Sequence, residues 1–386
     1  MKVTGYAYSW DVLGDPGFVE RARDLKVDEV AVALTYHSTR AATPSSEDRT
    51  SVIAPHAAIY RPVREEAWQR HELRPSTADW VAQPDSGGDA VRLLNTVGVP
   101  AAAWLVLTHN SQLGTAFPQY TVQNCFGESY PWALCPAQPA VREYAATLTA
   151  EAVAGLQLSS VILEACGPLG VVHQHQHEKT DGVWAPAVAR LLSICCCAAC
   201  TEGWDGLDGG LDAATVREQL RAEVRRLLAT ADLSVTEDRL PAPLKDVVLA
   251  GRQRATDALR AAVLAGLEPG TRIVLHGALD PWVTGALPGL TPTAADDAAA
   301  VVLQNWAPGQ GSVDAVAAAR AALPAHVAVG SYITAVAANP VPDIEAYVTE
   351  LGKAGATELH LYHLGLAGPG RRPDLHAATA AAHRVP

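Results

Sequence analysis

The chain has 386 residues, of which 49% are hydrophobic and 18% are charged, and its formal net charge is −12. Such a composition is typical of a globular protein, and the length is enough for one large domain or two ordinary ones. An acidic surface repels phosphate backbones, which argues against nucleic acid as a partner. No apolar run is long enough to span a membrane. The negative net charge instead favours a soluble protein that acts on a neutral or cationic small molecule.

The number and spacing of the cysteines indicate the cellular compartment in which the protein is expected. Four of the seven cysteines lie within six residues, from Cys195 to Cys200. This odd and clustered set argues against a secreted disulfide framework and favours reduced thiols or bound metal in a cytoplasmic protein. The first residues, from Met1 to Asp11, do not have the pattern of a signal peptide.

Short apolar runs alternate with alanine-rich helical segments along the whole chain. The runs are apolar at successive positions, as expected for parallel strands that are buried on both faces. The predicted strands cover residues 3–8, 29–35, 101–107, 160–164, 272–276, 300–304, 327–332 and 358–362. The predicted helices cover residues 16–25, 88–96, 140–156, 213–230, 243–267, 313–323 and 342–354.

Eight alternating units predict an α/β protein with a (β/α)8 TIM barrel that forms a single domain over residues 1–386. The competing fold is a doubly wound open sheet, which usually has a glycine-rich turn after its first strand. Here that strand is followed by Ser9-Trp10-Asp11. Long loops are predicted after strands 2, 3 and 4, and the first two of them cover residues 36–85 and 108–139. Loops of this length are usually functional.

The side chains expected at the mouth of this barrel are rich in aromatic and hydrogen-bonding groups. Aromatic rings stack on the apolar faces of sugars, and histidine and amide groups bind hydroxyls, so the pattern predicts a carbohydrate or glycoside substrate. Alternatively, individual members only cap the top of the barrel. The predicted substrate-binding residues here are Tyr8, Trp10, Tyr36, His37, His109, Asn110, Asn124, His276, Trp306, Tyr332, Tyr362 and His363.

Glu164 is the main catalytic candidate. It directly follows the apolar run Val161-Ile162-Leu163, at the carboxyl end of strand 4, where barrel enzymes hold catalytic groups. Loss of water at this position is expected to raise its pKa towards the range of a general acid. The alternative is a structural glutamate paired with a lysine or an arginine.

A histidine-rich segment, 173–179, follows strand 4. Three interpretations remain open: a first-row metal site, a loop that lines the substrate pocket, or a solvated loop. In an extended segment the three histidines share one face. The candidate metal ligands are His173, His175, His177 and Glu178, and the candidate substrate contacts are His175, His177, Glu178 and Lys179.

A Cys-x-Cys-x-x-Cys motif is formed by Cys195, Cys197 and Cys200. A structural zinc needs a fourth ligand, and Cys135 in a Cys-Pro motif is the candidate. Alternatively, these cysteines are small buried apolar residues.

Together these motifs resemble the zinc-containing β-galactosidases of glycoside hydrolase family 42. The resemblance covers residues 134–200: Cys-Pro-x-x-Pro-x-x-Arg-Glu-Tyr before strand 4, a glutamate ending that strand, and the Cys-x-Cys-x-x-Cys motif. It implies a structural zinc on Cys135, Cys195, Cys197 and Cys200, and Glu164 as general acid/base. The chain departs from the family pattern in having Leu163 where the family has asparagine, and it has no carboxylate at strand 7.

Glycoside hydrolysis requires a proton donor and a second carboxylate that acts as nucleophile or base. With Glu164 as donor, we expect Asp280 after strand 5 as the first choice for its partner and Glu178 as the second, with Asp11 as a further option. Two other functions remain open: a metal-dependent sugar isomerase, epimerase or lyase that uses segment 173–178, and a catalytically inactive sugar-binding barrel.

Overall fold

The computed structural model describes residues 1–172, 179–180, 182–205, 212–338 and 340–385. Its central element is a sheet of eight parallel strands that closes on itself, because the first strand pairs with both the second and the last. The barrel strands, β1 to β8, are Lys2–Tyr8, Glu29–Tyr36, Ala101–Val106, Val161–Glu164, Ile273–His276, Ala300–Gln304, Ala328–Thr334 and Glu358–Tyr362. The predicted (β/α)8 barrel is confirmed, and the doubly wound alternative is wrong.

Helices surround the barrel and follow the predicted segments closely. Proline occupies the first turn of several of them, where its missing N–H costs no hydrogen bond. The helices are Ser9–Gly14, Phe18–Asp24, Glu65–Trp68, Ser86–Thr96, Ser111–Ala116, Pro139–Val153, Pro186–Leu192, Ala198–Asp205, Ala213–Leu228, Ala242–Leu264, Ala294–Asp297, Gln310–Ala322, Ile344–Lys353 and Arg372–Arg384. Among the described residues, no helix combines the length and apolar character that a membrane-spanning segment needs.

The long connections after β2, β3 and β4 contain short elements of their own. Thr39–Ala42 and Ser51–Ala54 form an antiparallel pair after β2, where the short strands Ala58–Ile59 and Ser76–Thr77 also lie. A second antiparallel pair, Thr121–Gln123 with Ser129–Leu134, follows β3. The connections after β2 and β3 therefore form defined structures at the end of the barrel where the strands terminate.

Side chains of each barrel strand alternate between two separate apolar cores. One face packs outwards against the helices through residues such as Val3, Val32 and Leu105. The other face fills the barrel with larger rings, such as Tyr6 and Trp104. Because the side-chain period of a strand is two, every second residue of β1 and β8 points inwards.

Small residues on β2 make room for the interior rings. Ala33 is paired in register with Tyr8 on one side and with Trp104 on the other. The rings of Tyr8 and Trp104 lie nearly parallel, with centroids 6.1 Å apart. Alanine at position 33 therefore allows two large rings to approach each other inside the barrel.

Gly330 on β7 serves the same purpose for a histidine ring. A Cβ atom at this position would lie 2.9 Å from Cγ2 of Val302 and 3.0 Å from Cδ2 of His360.

We expect Gly330→Ala to lower the free energy of unfolding by about 1–3 kcal/mol, because the added methyl overpacks the interior. Denaturant unfolding measures the effect. Gly311→Ala is the control, since no atom lies within 4 Å of its added Cβ, and equal stability of the two variants would contradict the prediction.

Candidate functional site

A cavity of about 430 Å³ opens at the carboxyl end of the barrel strands. Its size falls in the range of small-molecule sites. Glu164 is the last residue of β4, is buried and lines the cavity, as its position in the sequence predicted. The side chains that line the cavity with it include Tyr36, His37, Trp104, Gln304, Trp306, Tyr332 and Tyr362.

The carboxylate of Glu164 is held from inside the barrel by one hydrogen bond, and a histidine lies close to it. Nε1 of Trp104 donates a hydrogen bond of 2.7 Å to its Oε2 atom. Nδ1 of His276, at the end of β5, lies 3.5 Å from the same oxygen. The expected raised pKa is wrong: burial raises the pKa of Glu164, but His276, His37 and the Trp104 N–H favour the ionised form and hold the pKa below its usual value. The site therefore combines a buried carboxylate with a histidine next to it.

Aromatic rings form the walls above this carboxylate. Tyr36 stacks on His37 with centroids 4.2 Å apart, and His37 lies 4.3 Å from the ring of His109. On the opposite side, Trp306 and Tyr362 lie 5.1 Å apart. Trp306 is 38% exposed, so its ring is accessible to a ligand. The structure thus brings together most of the predicted aromatic residues.

Tyr8, Trp10 and His363 lie deeper and are buried. Tyr8 stacks on Trp10 with centroids 4.4 Å apart and lies at the same distance from His363. Burial lowers the pKa of His363 to about 3, so this ring is neutral at physiological pH. Oδ2 of Asp11 accepts a hydrogen bond of 2.9 Å from the backbone N–H of Tyr8. These residues support the wall of the cavity from behind.

Asp11 gives a testable pH dependence. Burial raises its pKa from 3.8 to about 8, although the Tyr8 N–H opposes the shift. The neutral carboxyl therefore contributes stability that is fully present below pH 3.8 and is lost as pH rises towards 8. Asp11→Asn keeps an acceptor for the N–H of Tyr8 but does not ionise. Between about pH 5 and about pH 9 we expect the free energy of unfolding of the variant to fall by at least about 1 kcal/mol less than that of the wild type. Thermal unfolding at a series of pH values measures the difference.

The exposed Asp314 provides the control for this experiment. Asp314→Asn should leave the pH dependence of the melting temperature as it is in the wild type. A pH dependence that is the same in Asp11→Asn and in the wild type would contradict the assignment.

The structure places three predicted site residues away from the cavity. Asp280 lies at an exposed turn, where it accepts the N–H of Trp282 and lies 3.9 Å from Arg190. Asn110 caps the helix Ser111–Ala116, and the side chain of Asn124 bonds within its own turn and to Tyr130. Their polar groups are used locally, so we do not retain Asn110 and Asn124 as substrate contacts.

The predicted histidine segment lies mostly outside the described residues. These positions are His173, His175, His177 and Glu178. Lys179 is described and is exposed. Both the metal-site and the substrate-loop interpretations of this segment therefore stay predictions.

Sequence reasoning missed the polar residues inside the barrel. Trp104, Tyr6 and His360 are completely buried or nearly so, and all three point into the interior. The signal was the alternation Thr4, Tyr6, Tyr8 in β1 and Glu358, His360, Tyr362 in β8, which places polar and aromatic groups on one face of each strand. These residues lie within the strands, whereas the predicted site residues were taken from the strand ends.

Four cysteines lie together beside the cavity loops. The Sγ atoms of Cys135, Cys195, Cys197 and Cys200 are all within 4.8 Å of one another, and no disulfide joins the cysteines of the described chain. Two of the S···S distances are 3.5 Å and 3.7 Å. Tetrahedral zinc with Zn–S bonds of about 2.3 Å requires S···S separations of about 3.8 Å. The cluster therefore fits a tetrahedral metal ion.

Local electrostatics agree with a metal at this position. Hydrogen bonds from the neighbouring thiols lower the pKa of Cys197 well below its ordinary value. Nη2 of the half-buried Arg252 donates a hydrogen bond to the carbonyl of Val283. Loss of water lowers the pKa of Arg252 to about 10, although the negative charges of Asp280 and Cys200 oppose this shift. Thiolate is thus the favoured state of one member, and a cation stands near the cluster.

Neither a protein-family model nor a curated protein matches the chain. Several solved structures share its fold. The α-L-fucosidase isoenzyme 2 from Paenibacillus thiaminolyticus has a TM-score of 0.58 at 13% identity; the match covers 99% of this chain and 49% of the fucosidase. The glycoside hydrolase domain of PgaB (BpsB) from Bordetella bronchiseptica has a TM-score of 0.56 at 16% identity over 98% and 99% of the two chains.

A cold-adapted β-galactosidase from Rahnella sp. R3 has a TM-score of 0.55 at 10% identity, over 100% of this chain and 56% of the other. The chain thus spans about half the length of the fucosidase and of the β-galactosidase. Identities this low show a common fold and no more.

Proposed function

We propose that the protein is a glycosidase-like hydrolase in which Glu164 acts as general acid/base. The observation that carries the proposal is a buried carboxylate at the end of β4, bonded to Trp104 and next to His276, on the floor of a cavity with aromatic walls. A carboxylate in this setting can exchange a proton with the oxygen of a glycosidic bond.

The walls of the cavity support a carbohydrate as the substrate. Trp306 and Tyr362 offer ring faces on which the apolar face of a sugar can stack. Proteins named as a fucosidase, a glycoside hydrolase domain and a β-galactosidase share the fold, which agrees with this choice. Relation to family 42 in particular rests on the motifs between residues 134 and 200.

The reaction places a proton on the leaving oxygen while the bond from that oxygen to the sugar carbon breaks. Water then supplies the new oxygen on the carbon, and its proton goes to a base. Among the described residues, Glu164 is the carboxylate that lines the cavity. The exposed position of Asp280 weakens the case for it as second carboxylate, and Glu178 lies outside the described residues. Asp280→Asn and Glu178→Gln, assayed in parallel, distinguish the two.

The test is hydrolysis of a panel of nitrophenyl glycosides and natural oligosaccharides by the purified protein. Turnover of at least one of them is the expected result. No turnover of any sugar, with sugar binding seen by calorimetry, would replace the hydrolase by a sugar-binding barrel. Isomerisation or elimination that needs added divalent metal would instead favour a reaction centred on segment 173–178.

We also propose that Cys135, Cys195, Cys197 and Cys200 hold a structural zinc ion. Four thiolates complete a tetrahedral shell and leave no open position for catalysis. Cys135 follows β3 and the other three follow β4, so the metal would join two loops of the cavity end. Elemental analysis should give one zinc per chain, and a value near zero in protein purified without chelator would contradict the proposal.

A further inference from the structure

A continuous line of polar side chains runs through the inside of the barrel, from Glu164 at the mouth to the opposite end. Nε2 of His276 lies 2.8 Å from the hydroxyl of Tyr6, and that hydroxyl lies 3.0 Å from Nδ1 of His360. Nε2 of His360 lies 3.3 Å from Oε2 of Glu358. Every member is buried. We call these five residues the relay.

The end of the relay far from the mouth has a fixed charge. Glu358 forms an ion pair with Arg272. Burial raises the pKa of Glu358, but His360, Arg272 and Lys2 outweigh it and hold the pKa below its usual value. Glu358 is therefore ionised and can only accept a hydrogen bond. Its neighbour His360 must donate through Nε2.

This constraint sets the direction of every bond in the relay. Burial lowers the pKa of His360, so the ring is neutral and its Nδ1 accepts. The hydroxyl of Tyr6, whose pKa is raised by burial, stays protonated and donates to that nitrogen. The oxygen of Tyr6 then accepts a bond from Nε2–H of His276.

At the mouth the direction leaves one proton between His276 and Glu164. Since Nε2 of His276 already carries a proton, Nδ1 either carries a second one or is a lone pair that faces Oε2 of Glu164. In the first case the ring is charged beside a carboxylate. In the second a hydrogen bond forms only if Glu164 is protonated, because two acceptors would otherwise face each other. At 3.5 Å the two atoms do not form a hydrogen bond, and we expect them to approach each other when substrate binds, as catalytic groups often do.

We infer that the relay keeps a transferable proton on the Glu164–His276 pair, and that Tyr6, His360 and Glu358 are positioning residues for proton donation to the substrate. Removing that proton would leave two buried acceptors facing each other somewhere along the relay, because the single hydroxyl proton of Tyr6 serves only one histidine. This inference rests on the proposed hydrolase function and explains how a carboxylate with a lowered pKa can act as an acid.

Other charged and titratable groups face the relay, and the variants proposed below leave these groups unchanged. At the mouth these are His37, Tyr36, Tyr332 and Tyr362; at the other end they are Arg272, Lys2 and Glu29. None of them lies between two members of the relay in the hydrogen bonds described above.

The sharpest variant is Glu358→Gln, at the end of the barrel away from the cavity. An amide can donate to Nε2 of His360, which reverses every bond: His360 donates to Tyr6, Tyr6 donates to His276, and Nδ1–H of His276 faces an ionised Glu164. That arrangement satisfies all groups without the extra proton. We expect the alkaline limb of the kcat profile to move to lower pH by about one unit or more, with KM little changed.

Tyr6→Phe breaks the relay in the middle and should move the alkaline limb in the same direction, because the penalty on losing the proton disappears. Tyr347→Phe is the control, since this buried hydroxyl donates to the carbonyl of Asn305 and lies outside the relay. Glu358→Asp keeps the negative charge and should restore the wild-type profile. If Glu358→Gln does not fold, Tyr6→Phe decides the question.

Nitrogen-15 spectra of histidine-labelled protein test the relay without any substrate. In the wild type at neutral pH we expect Nε2–H on both His276 and His360, and in Glu358→Gln Nδ1–H on both. A wild-type His276 protonated on Nδ1 alone would overturn the inference. If the hydrolase proposal fails, the protein will turn over no sugar although both histidines have the expected tautomers. If the relay inference fails, the protein will turn over a sugar although the histidine tautomers differ from those expected.

Discussion

Glu164→Gln is expected to lower kcat by about 10²–10⁴-fold, the usual contribution of a general acid/base, with little change in KM. The amide oxygen of glutamine can still accept the hydrogen bond from Nε1 of Trp104, so the side chain keeps its place at the end of β4. It has no proton to give to a leaving oxygen. Steady-state kinetics on the best substrate of the panel measure the effect.

The leaving group makes this test specific for proton donation. A substrate with a strongly acidic phenol as leaving group needs little protonation, so its rate should fall much less than that of an alkyl glycoside. Glu350→Gln, at an exposed position, is the control and should retain wild-type kinetics. Equal losses on both kinds of substrate would assign Glu164 another role, and full activity of Glu164→Gln would exclude it from the chemistry.

Cys197→Ala is expected to abolish binding of the proposed zinc and to lower the free energy of unfolding by on the order of 4 kcal/mol. The physical reason is that the proposed zinc would join the loop after β3, through Cys135, to the segment 195–200 after β4. Without a fourth thiolate the remaining three bind zinc weakly, and the two loops lose their common anchor. Elemental analysis and thermal unfolding of the same sample measure both effects.

The neighbouring residue supplies the matched control. Cys196 is completely buried and stands between two members of the cluster, but it does not belong to it. Cys196→Ala should therefore keep one zinc per chain and lose far less stability. A wild-type melting temperature that does not change when a chelator removes the metal would contradict a structural role for zinc.

The barrel was predictable because its strands have a strong local signature. Each is a short apolar run, and the predicted ends agree with the structure to within one or two residues, as for 300–304 and 358–362. The position of Glu164 followed from the same pattern, since the end of a strand is defined by the strand. Local sequence was therefore sufficient to predict the fold and the end of the barrel at which the cavity lies.

The electrostatics of Glu164 were not predictable from its neighbours in the chain. Its pKa depends on His276 and Trp104, which lie 112 and 60 residues away in sequence and meet it only because the barrel closes. The local roles of Asn110 and Asn124 were not predicted for the opposite reason. Their amides form short-range bonds to nearby backbone groups, which a reading of strand ends does not consider.

The position of Ala33 between Tyr8 and Trp104 has a consequence for how this protein can change by mutation. Because the two rings occupy the space above a single methyl group, a larger side chain at position 33 must displace one of them. Substitutions at these three positions are therefore epistatic: enlargement at one becomes acceptable only after reduction at another. Because Trp104 also donates a hydrogen bond to Glu164, we expect a larger side chain at position 33 to be accepted only after Tyr8 has been replaced by a smaller residue.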